Sequence, residues 1–146
     1  MSFFLALPVA IMGTGIVVRS TKLRTAAKFR KEPNLSLINF CAEELPFNDN
    51  EFDIVFHVGG INFFNDKKLV IQEMIRVAKP GSKILIADET DFFIEDQYKK
   101  SSLSKKYFVG QTFDLHKLEE LIPGYVGEKT TTLMWDGRFY CITFRK

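Results

Sequence analysis

The chain has 146 residues, of which 46% are hydrophobic and 26% charged, and its formal net charge is only +2. This length allows one domain with a buried core, and the near balance of charge excludes a global electrostatic case for nucleic-acid binding. Two cysteines, Cys41 and Cys141, lie too far apart to form a CxxC motif, so we expect buried, reduced thiols and no metal site.

An apolar run from Met1 to Val18 precedes a basic segment and allows two interpretations from its residues. As a membrane anchor it barely reaches the ~20 residues that a spanning helix needs, and it contains Pro8 and two glycines. Alternatively, Leu5 to Met12 forms a buried strand, and Gly13-Thr14-Gly15 forms a turn into a helix where a ligand can approach the backbone.

The central stretch predicts a strand, helix and strand in succession. Three apolar runs have the length and composition of buried strands, namely Leu35–Phe40, Asp53–Val58 and Lys83–Asp88. Asn65 or Asp66 can cap a helix between the last two strands, and Lys79-Pro80-Gly81 ends it. The helix carries one apolar stripe, which consists of Val70, Ile71, Met74, Ile75 and Ala78. This pattern indicates a parallel βαβ unit, whose ligands bind at the carboxyl ends of the strands.

The last third of the chain predicts a helix and a hairpin. Asp88, Glu89 and Asp91 gather at the end of a predicted strand, but no histidine is near them to support a metal site. A polar, lysine-rich segment, Phe92–Gly110, follows, and Thr112-Phe113-Asp114 can cap the next helix. Asp136-Gly137 is a strong signal for a two-residue turn that joins two strands.

The central stretch resembles the class I S-adenosyl-L-methionine-dependent methyltransferases, in particular the methyltransferase type 11 group related to ubiquinone and menaquinone C-methyltransferases. The resemblance rests on four segments in order: Ala42-Glu43-Glu44-Leu45-Pro46-Phe47, Glu51-Phe52-Asp53-Ile54-Val55, Phe63-Phe64-Asn65-Asp66 and Glu73-Met74-Ile75-Arg76-Val77-Ala78-Lys79-Pro80-Gly81-Ser82-Lys83-Ile84. It implies an α/β fold with a Rossmann-like, mostly parallel sheet that ends in an antiparallel C-terminal hairpin.

The resemblance also implies that the fold is N-terminally incomplete. Ser20 to Lys28 looks like the helix after the second strand of the family, and the acid that holds the ribose hydroxyls falls near Val17 or Val18, neither of which is acidic. One strand–helix unit is then missing, and a truncated or disrupted start explains this. The expected organisation is an apolar segment of uncertain role, residues 1–18, and a partial methyltransferase domain, residues 19–146.

The resemblance implies a cofactor site made of two turns. Cys41, Ala42 and Glu43 match the segment along the adenine, with Cys41 in place of an aspartate that accepts a hydrogen bond from the adenine amino group. His57, Val58 and Gly59 match the strand end that passes the methionine part of the cofactor. Because a histidine titrates near neutrality, His57 is the candidate catalytic base.

The resulting prediction is an S-adenosyl-L-methionine-dependent methyltransferase that acts on a small-molecule or lipid-like acceptor. The alternative is a degenerate, non-catalytic protein or fragment with the methyltransferase fold, and a nicotinamide oxidoreductase is a weaker third class because Val18 replaces the third glycine of its fingerprint. We expect no nucleic-acid partner and a cytoplasmic location, with membrane anchoring through residues 1–18 as the other possibility.

Overall fold

The computed structural model describes residues 7–11, 40–98, 100 and 114–146. Five strands lie in this part of the chain: β1 (Leu7–Ile11), β2 (Phe52–Val58), β3 (Ala78–Glu89), β4 (Gly127–Met134) and β5 (Phe139–Arg145). The helices are α1 (Lys67–Val77), the single turn α2 (Asp91–Phe93) and α3 (Leu115–Glu120), with a 3₁₀ turn at Ile61–Phe63 and a π-helical turn at Ile94–Tyr98.

The predicted strand–helix–strand unit is confirmed as β2–α1–β3. Asp66 caps α1 by accepting a hydrogen bond from the backbone N–H of Leu69 at 2.9 Å, and the helix ends at Val77, just before the predicted Lys79-Pro80-Gly81 stop. β2 and β3 are parallel, with Val55 beside Ile84 and His57 beside Ile86. The whole predicted apolar stripe of the helix is buried, that is Val70, Ile71, Met74, Ile75 and Ala78.

β3 begins earlier than the predicted strand because a bulge joins it to the helix. Phe52 pairs with Ala78, whereas Ile54 already pairs with Lys83, so the register shifts between them. Gly81 lies in this bulge with a φ of 77°, a conformation that suits glycine. The bulge is closed by the backbone N–H of Gly81, which donates to the carbonyl of Lys146 at 2.8 Å.

The described strands form one sheet in the order β1-β2-β3-β5-β4. The Rossmann-like α/β class and the C-terminal hairpin are confirmed, but the described sheet is mixed rather than mostly parallel. β2 and β3 form the parallel pair, and the pairs β1–β2, β3–β5 and β4–β5 are antiparallel. A parallel pair needs a crossover segment such as α1, whereas β4 and β5 are joined by a short turn and are antiparallel.

The hairpin turn has the predicted chemistry. The backbone N–H of Arg138 donates to the carbonyl of Trp135 at 3.2 Å, which encloses Asp136 and Gly137. Both of these residues have a positive φ, 56° and 79°, as the favoured two-residue hairpin turn requires. The Asp114 cap of α3 is also confirmed, since its carboxylate accepts from the backbone of His116 and Lys117.

One face of the sheet carries the core. The ladder aligns Val55 with Ile84 and Phe144, and His57 with Ile86 and Ile142. These side chains are fully buried and belong to the same hydrophobic cluster as α1, with the exception of the polar His57. Asp88 and Tyr140 are neighbours further along the same face. His57, Asp88 and Tyr140 therefore place polar side chains in the core near the carboxyl ends of the parallel strands.

The N-terminal interpretations are partly answered. Leu7–Ile11 is a strand, as the second interpretation predicts, but it is antiparallel to β2, with Ile11 beside Val55 and Leu7 beside Val58. β1 therefore ends toward the start of β2, away from the carboxyl ends of β2 and β3. No helix in the described segments is long and apolar enough to cross a membrane. The remaining predictions at Gly13–Gly15, Val17, Val18, Ser20–Lys28 and 35–39 lie outside the described residues, as do 99 and 101–113.

Candidate functional site

The first part of the candidate site is the turn after β2. Gly59 and Gly60 both have a positive φ, 78° and 85°, which side chains with a Cβ rarely adopt. The backbone N–H of Gly59 still donates to the carbonyl of Ala87 on β3, at 2.8 Å. The predicted cofactor residues Val58 and Gly59 thus lie at the shared carboxyl end of the two parallel strands. In open α/β sheets this edge is where ligands bind.

Asp88 holds this turn from the neighbouring strand. Its Oδ2 accepts from the backbone N–H of Ile61 at 3.0 Å, and its Oδ1 accepts from the backbone N–H of Glu89 at 2.8 Å. Asp88 is only 3% exposed, and this burial, opposed by the backbone hydrogen bonds, raises its pKa to about 6. The carboxylate therefore serves the backbone rather than a metal.

The acidic cluster that the sequence suggested is divided by the structure. Asp88 points into the core, whereas Asp91 is exposed on α2. Among the described residues, no three metal-binding side chains lie together. A sequence can show that acids are adjacent but not that one of them faces inward, although Asp88 follows the strand alternation that buries Ile84 and Ile86.

His57 lies in the core instead of at an open surface. Its side chain is 0% exposed, neither ring nitrogen has a hydrogen-bond partner, and its ring lies 5.4 Å from that of Phe64 between centroids. This desolvation lowers the pKa of His57 from 6.5 to about 4. The imidazole is therefore neutral at pH 7 and a weak base, which does not favour the predicted base role.

Tyr140 is a second buried polar side chain that the sequence did not single out. It pairs with Asp88 across β3 and β5, and its hydroxyl has no hydrogen-bond partner. Burial, and then the charge of Asp88, raises the pKa of this phenol. A tyrosine in an alternating strand gives no sequence signal that separates it from a core aromatic residue.

The second part of the candidate site is the loop Cys41–Leu45, which contains the other three predicted cofactor residues. Cys41 and Glu44 form an isolated antiparallel bridge, and Ala42 is buried in the core cluster. The thiol of Cys41 donates to Oε2 of Glu43 at 2.8 Å. Cys41 is exposed, so the expectation of a buried thiol is wrong at this position, because the loop rather than a strand carries it.

Two side chains of α1 hold this loop. Glu73 Oε2 accepts from the backbone N–H of Leu45 at 2.8 Å, and Arg76 donates to the carbonyls of Leu45 at 3.0 Å and Phe47 at 2.8 Å. Arg76 also forms ion pairs with Glu73 and Asp49. The hydrogen bond between Glu73 and Arg76 lowers the pKa of Glu73 and raises that of Arg76. The sequence signal was the i,i+3 spacing of Glu73 and Arg76, which predicts an ion pair but not its loop partner.

The Cys41–Leu45 loop lies against α1. The segment after Cys41 runs alongside α1, because Leu45 contacts Glu73, and Glu51 N–H donates to the carbonyl of Val77 at 2.8 Å. Ala42 and Ile61 also belong to one buried cluster. That the loop and the Gly59–Gly60 turn line a single crevice stays a prediction.

Comparison with known proteins identifies relatives of this region. A family model described as a methyltransferase domain matches residues 7–86. A demethylmenaquinone methyltransferase from Renibacterium salmoninarum is 41% identical over 59 residues, which are 40% of this chain and 25% of that protein. A ubiquinone/menaquinone biosynthesis C-methyltransferase from Shewanella sediminis is 44% identical over 55 residues, which are 38% of this chain and 22% of that protein. The matches thus span about a quarter of these relatives.

Solved structures share the fold over most of the chain. A methyltransferase from Thermotoga maritima has a TM-score of 0.67 and 23% identity, and covers 89% of this chain and 72% of its own. Phosphoethanolamine N-methyltransferase 2 from Haemonchus contortus, solved with S-adenosylmethionine, has a TM-score of 0.69 and 18% identity, and covers 90% of this chain and 43% of its own. At these identities the likeness establishes the fold alone.

Proposed function

Because the chain belongs to the methyltransferase domain family, as its resemblance to class I enzymes of the type 11 group predicted, we propose that it binds S-adenosylmethionine and transfers its methyl group to a small-molecule acceptor. The observation that carries this proposal is the Val58–Ile61 turn at the carboxyl ends of the parallel strands β2 and β3, where Gly59 and Gly60 both have a positive φ. The names of the relatives support a quinone-like or lipid-like acceptor.

The described residues fit two of the three parts of the cofactor. At the methionine end, Val58 and Gly59 begin a turn in which the half-buried Gly59 has no side chain, so that a ligand can approach its backbone. At the adenine end, Cys41, Ala42 and Glu43 provide backbone N–H groups and a carboxylate. The resemblance places the ribose near Val17 and Val18, which lie outside the described residues.

We propose that Glu43 supplies the acceptor for the adenine amino group. The resemblance places an aspartate at position 41, where this chain has a thiol, which is a weak acceptor. The structure brings the Glu43 carboxylate to within 2.8 Å of that thiol. The half-buried Glu43 thus offers a carboxylate beside the position of the missing one, whereas its neighbour Glu44 is exposed.

When bound, S-adenosylmethionine supplies a methyl group on a sulfonium that is ready for displacement. The protein contributes position, alignment and exclusion of water, which are worth about 7–11 kcal/mol in well-oriented reactions. Such a site needs no fixed triad, and a base is required only when the acceptor is a poor nucleophile. The predicted base role of His57 would need access that its buried ring does not have in this conformation.

The binding test uses isothermal titration with S-adenosylmethionine. We expect Glu43→Gln to weaken binding about tenfold, because a charge-assisted hydrogen bond becomes a neutral one. Glu44→Gln is the matched control, since it removes the same charge one residue away and should leave affinity unchanged. Equal affinities for both variants would refute the role of Glu43. Methyl transfer to a demethylated quinol would then test the acceptor class.

The second candidate is a non-catalytic relative that retains the fold. Two observations favour it, namely the thiol of Cys41 at the adenine position and the antiparallel β1, which does not end at the ligand edge. This candidate predicts no binding of S-adenosylmethionine by the wild-type chain, or binding without transfer.

We also infer a cytoplasmic location from the strand at Leu7–Ile11, and cell fractionation tests it against anchoring through residues 1–18.

A further inference from the structure

The Glu73–Arg76 pair does more than connect two side chains of one helix. Arg76 uses its whole guanidinium: Nε and one terminal nitrogen contact Glu73 at 2.7 and 2.8 Å, and the terminal nitrogens also reach the carbonyls of Leu45 and Phe47. A bidentate ion pair with further carbonyl contacts fixes the orientation of the planar group. The pair is therefore rigid enough to impose a position on the backbone that it contacts.

The backbone that it contacts is the base of the Cys41–Leu45 loop. Both the N–H and the carbonyl of Leu45 are taken by side chains of α1, Glu73 at 2.8 Å and Arg76 at 3.0 Å. Leu45 itself is buried. Within the loop, the bridge between Cys41 and Glu44 adds one backbone hydrogen bond, at 3.1 Å. The orientation of the loop thus depends on α1 at the point where it leaves the site.

We propose that Arg76, together with Glu73, is a positioning residue that holds the Cys41–Leu45 loop in the conformation that receives the adenine ring. This inference rests on the proposed function. It assigns a role in cofactor binding to two residues of a helix whose other face fills the core. The role requires the planar guanidinium of arginine, because a lysine ammonium cannot contact Glu73, Leu45 and Phe47 in one plane.

The test compares Arg76→Lys and Glu73→Gln with the control Asp49→Asn. Asp49 contacts Arg76 at 2.8 Å but is 69% exposed and holds no loop backbone, so its substitution removes an ion pair of Arg76 and leaves the loop contacts in place. We expect Arg76→Lys and Glu73→Gln to weaken binding of S-adenosylmethionine at least about tenfold, and binding of adenosine by the same factor. Asp49→Asn should bind as the wild type does.

A second measurement separates loop position from global stability. Hydrogen exchange followed by mass spectrometry, without ligand, should show faster exchange in residues 41–47 of Arg76→Lys and Glu73→Gln, with β2 and β3 unchanged. Wild-type affinity in Arg76→Lys, or weaker binding accompanied by faster exchange throughout the sheet, would overturn the inference. If the wild-type chain binds no S-adenosylmethionine, the proposed function fails and the cofactor role fails with it. Faster exchange confined to 41–47 would then show that the loop contact alone is correct.

Discussion

Substitution of His57 by phenylalanine tests whether this residue belongs to the core or to the chemistry. The imidazole is fully buried, both its nitrogens lack partners, and Phe64 lies beside it. Phenylalanine removes two unsatisfied polar atoms, each worth about 1–3 kcal/mol when buried, and adds a little volume, which costs about 1–3 kcal/mol in a packed core. These two contributions to the free energy of unfolding are opposed and of similar size, and neither of them changes with pH.

The pH-dependent part has a definite sign. The pKa of His57 is about 4 in the folded chain, against an ordinary 6.5, so the unfolded chain binds more protons between these values. The wild type therefore loses stability as the pH falls from about 6.5 toward about 4. At about 1.4 kcal/mol per pKa unit, we expect His57→Phe to gain about 2–3 kcal/mol relative to the wild type between about pH 7.5 and about pH 4.5.

The assay is urea unfolding of both proteins across this pH range, followed by circular dichroism. Asp88 and every other carboxyl group are present in both proteins, so their contributions cancel in the difference. His116, which is 81% exposed on α3, provides the control variant His116→Phe, which replaces an exposed imidazole in the same way. A His57→Phe difference that stays constant with pH would show that the imidazole is not buried. Loss of methyl transfer with unchanged cofactor affinity and no pH-dependent gain would instead support its role as a base.

Three further predictions concern the turn, the neighbouring strand and the core. The pKa of Asp88 is about 6 in the folded chain against an ordinary 3.8, so the folded chain binds more protons between these values. We therefore expect the free energy of unfolding of the wild type to rise by about 2 kcal/mol relative to Asp88→Asn as the pH falls from about 7.5 to about 4.5. If urea unfolding shows that this difference in free energy falls or does not change, Asp88 is not buried. Gly60→Ala should lower the free energy of unfolding by about 1–2 kcal/mol, because the φ of Gly60 is 85°. It should also weaken the binding of S-adenosylmethionine, measured by titration calorimetry. Wild-type affinity in this variant would show that the turn is not part of the site. Met74→Ala should cost about 2–5 kcal/mol in thermal or urea unfolding, because its side chain is fully buried, and a cost below about 1 kcal/mol would contradict that packing.

Elements with a local physical signal could be predicted from the sequence. The stripe from Val70 to Ala78 indicated which helix face is buried, Asp66 and Asp114 indicated caps, and Asp136-Gly137 indicated the hairpin turn. Each of these features is determined by residues within a few positions of one another. The direction of β1 is different, because it depends on which edge of β2 is free and on the path between Ile11 and Phe52. The sequence of a five-residue strand does not indicate whether the strand pairs parallel or antiparallel to its neighbour.

The residues of the candidate site could likewise be predicted from the sequence only in part. Gly59 and Gly60 were recognisable because only glycine readily accepts a positive φ. For His57 the residue type suggests proton transfer, whereas burial on the core face of β2 lowers its pKa to about 4, and the base role stays a prediction. Arg76 and Asp88 contact backbone groups that are distant in sequence, Leu45 and Ile61. A side chain that binds the backbone of another segment leaves no pattern in its own neighbourhood.

The antiparallel β1 makes these backbone contacts more important for cofactor binding. A parallel strand beside β2 would bring its carboxyl end, and the turn that follows it, to the ligand edge. Here Ile11 lies beside Val55 and not beside Val58, so the proposed cofactor site depends on the Cys41–Leu45 loop and the Gly59–Ile61 turn. Each is fixed by a carboxylate on a neighbouring element, Glu73 for the loop and Asp88 for the turn. If this chain binds S-adenosylmethionine, the two carboxylates should therefore affect different ends of the cofactor, so that Glu73→Gln weakens binding of adenosine and Asp88→Asn does not.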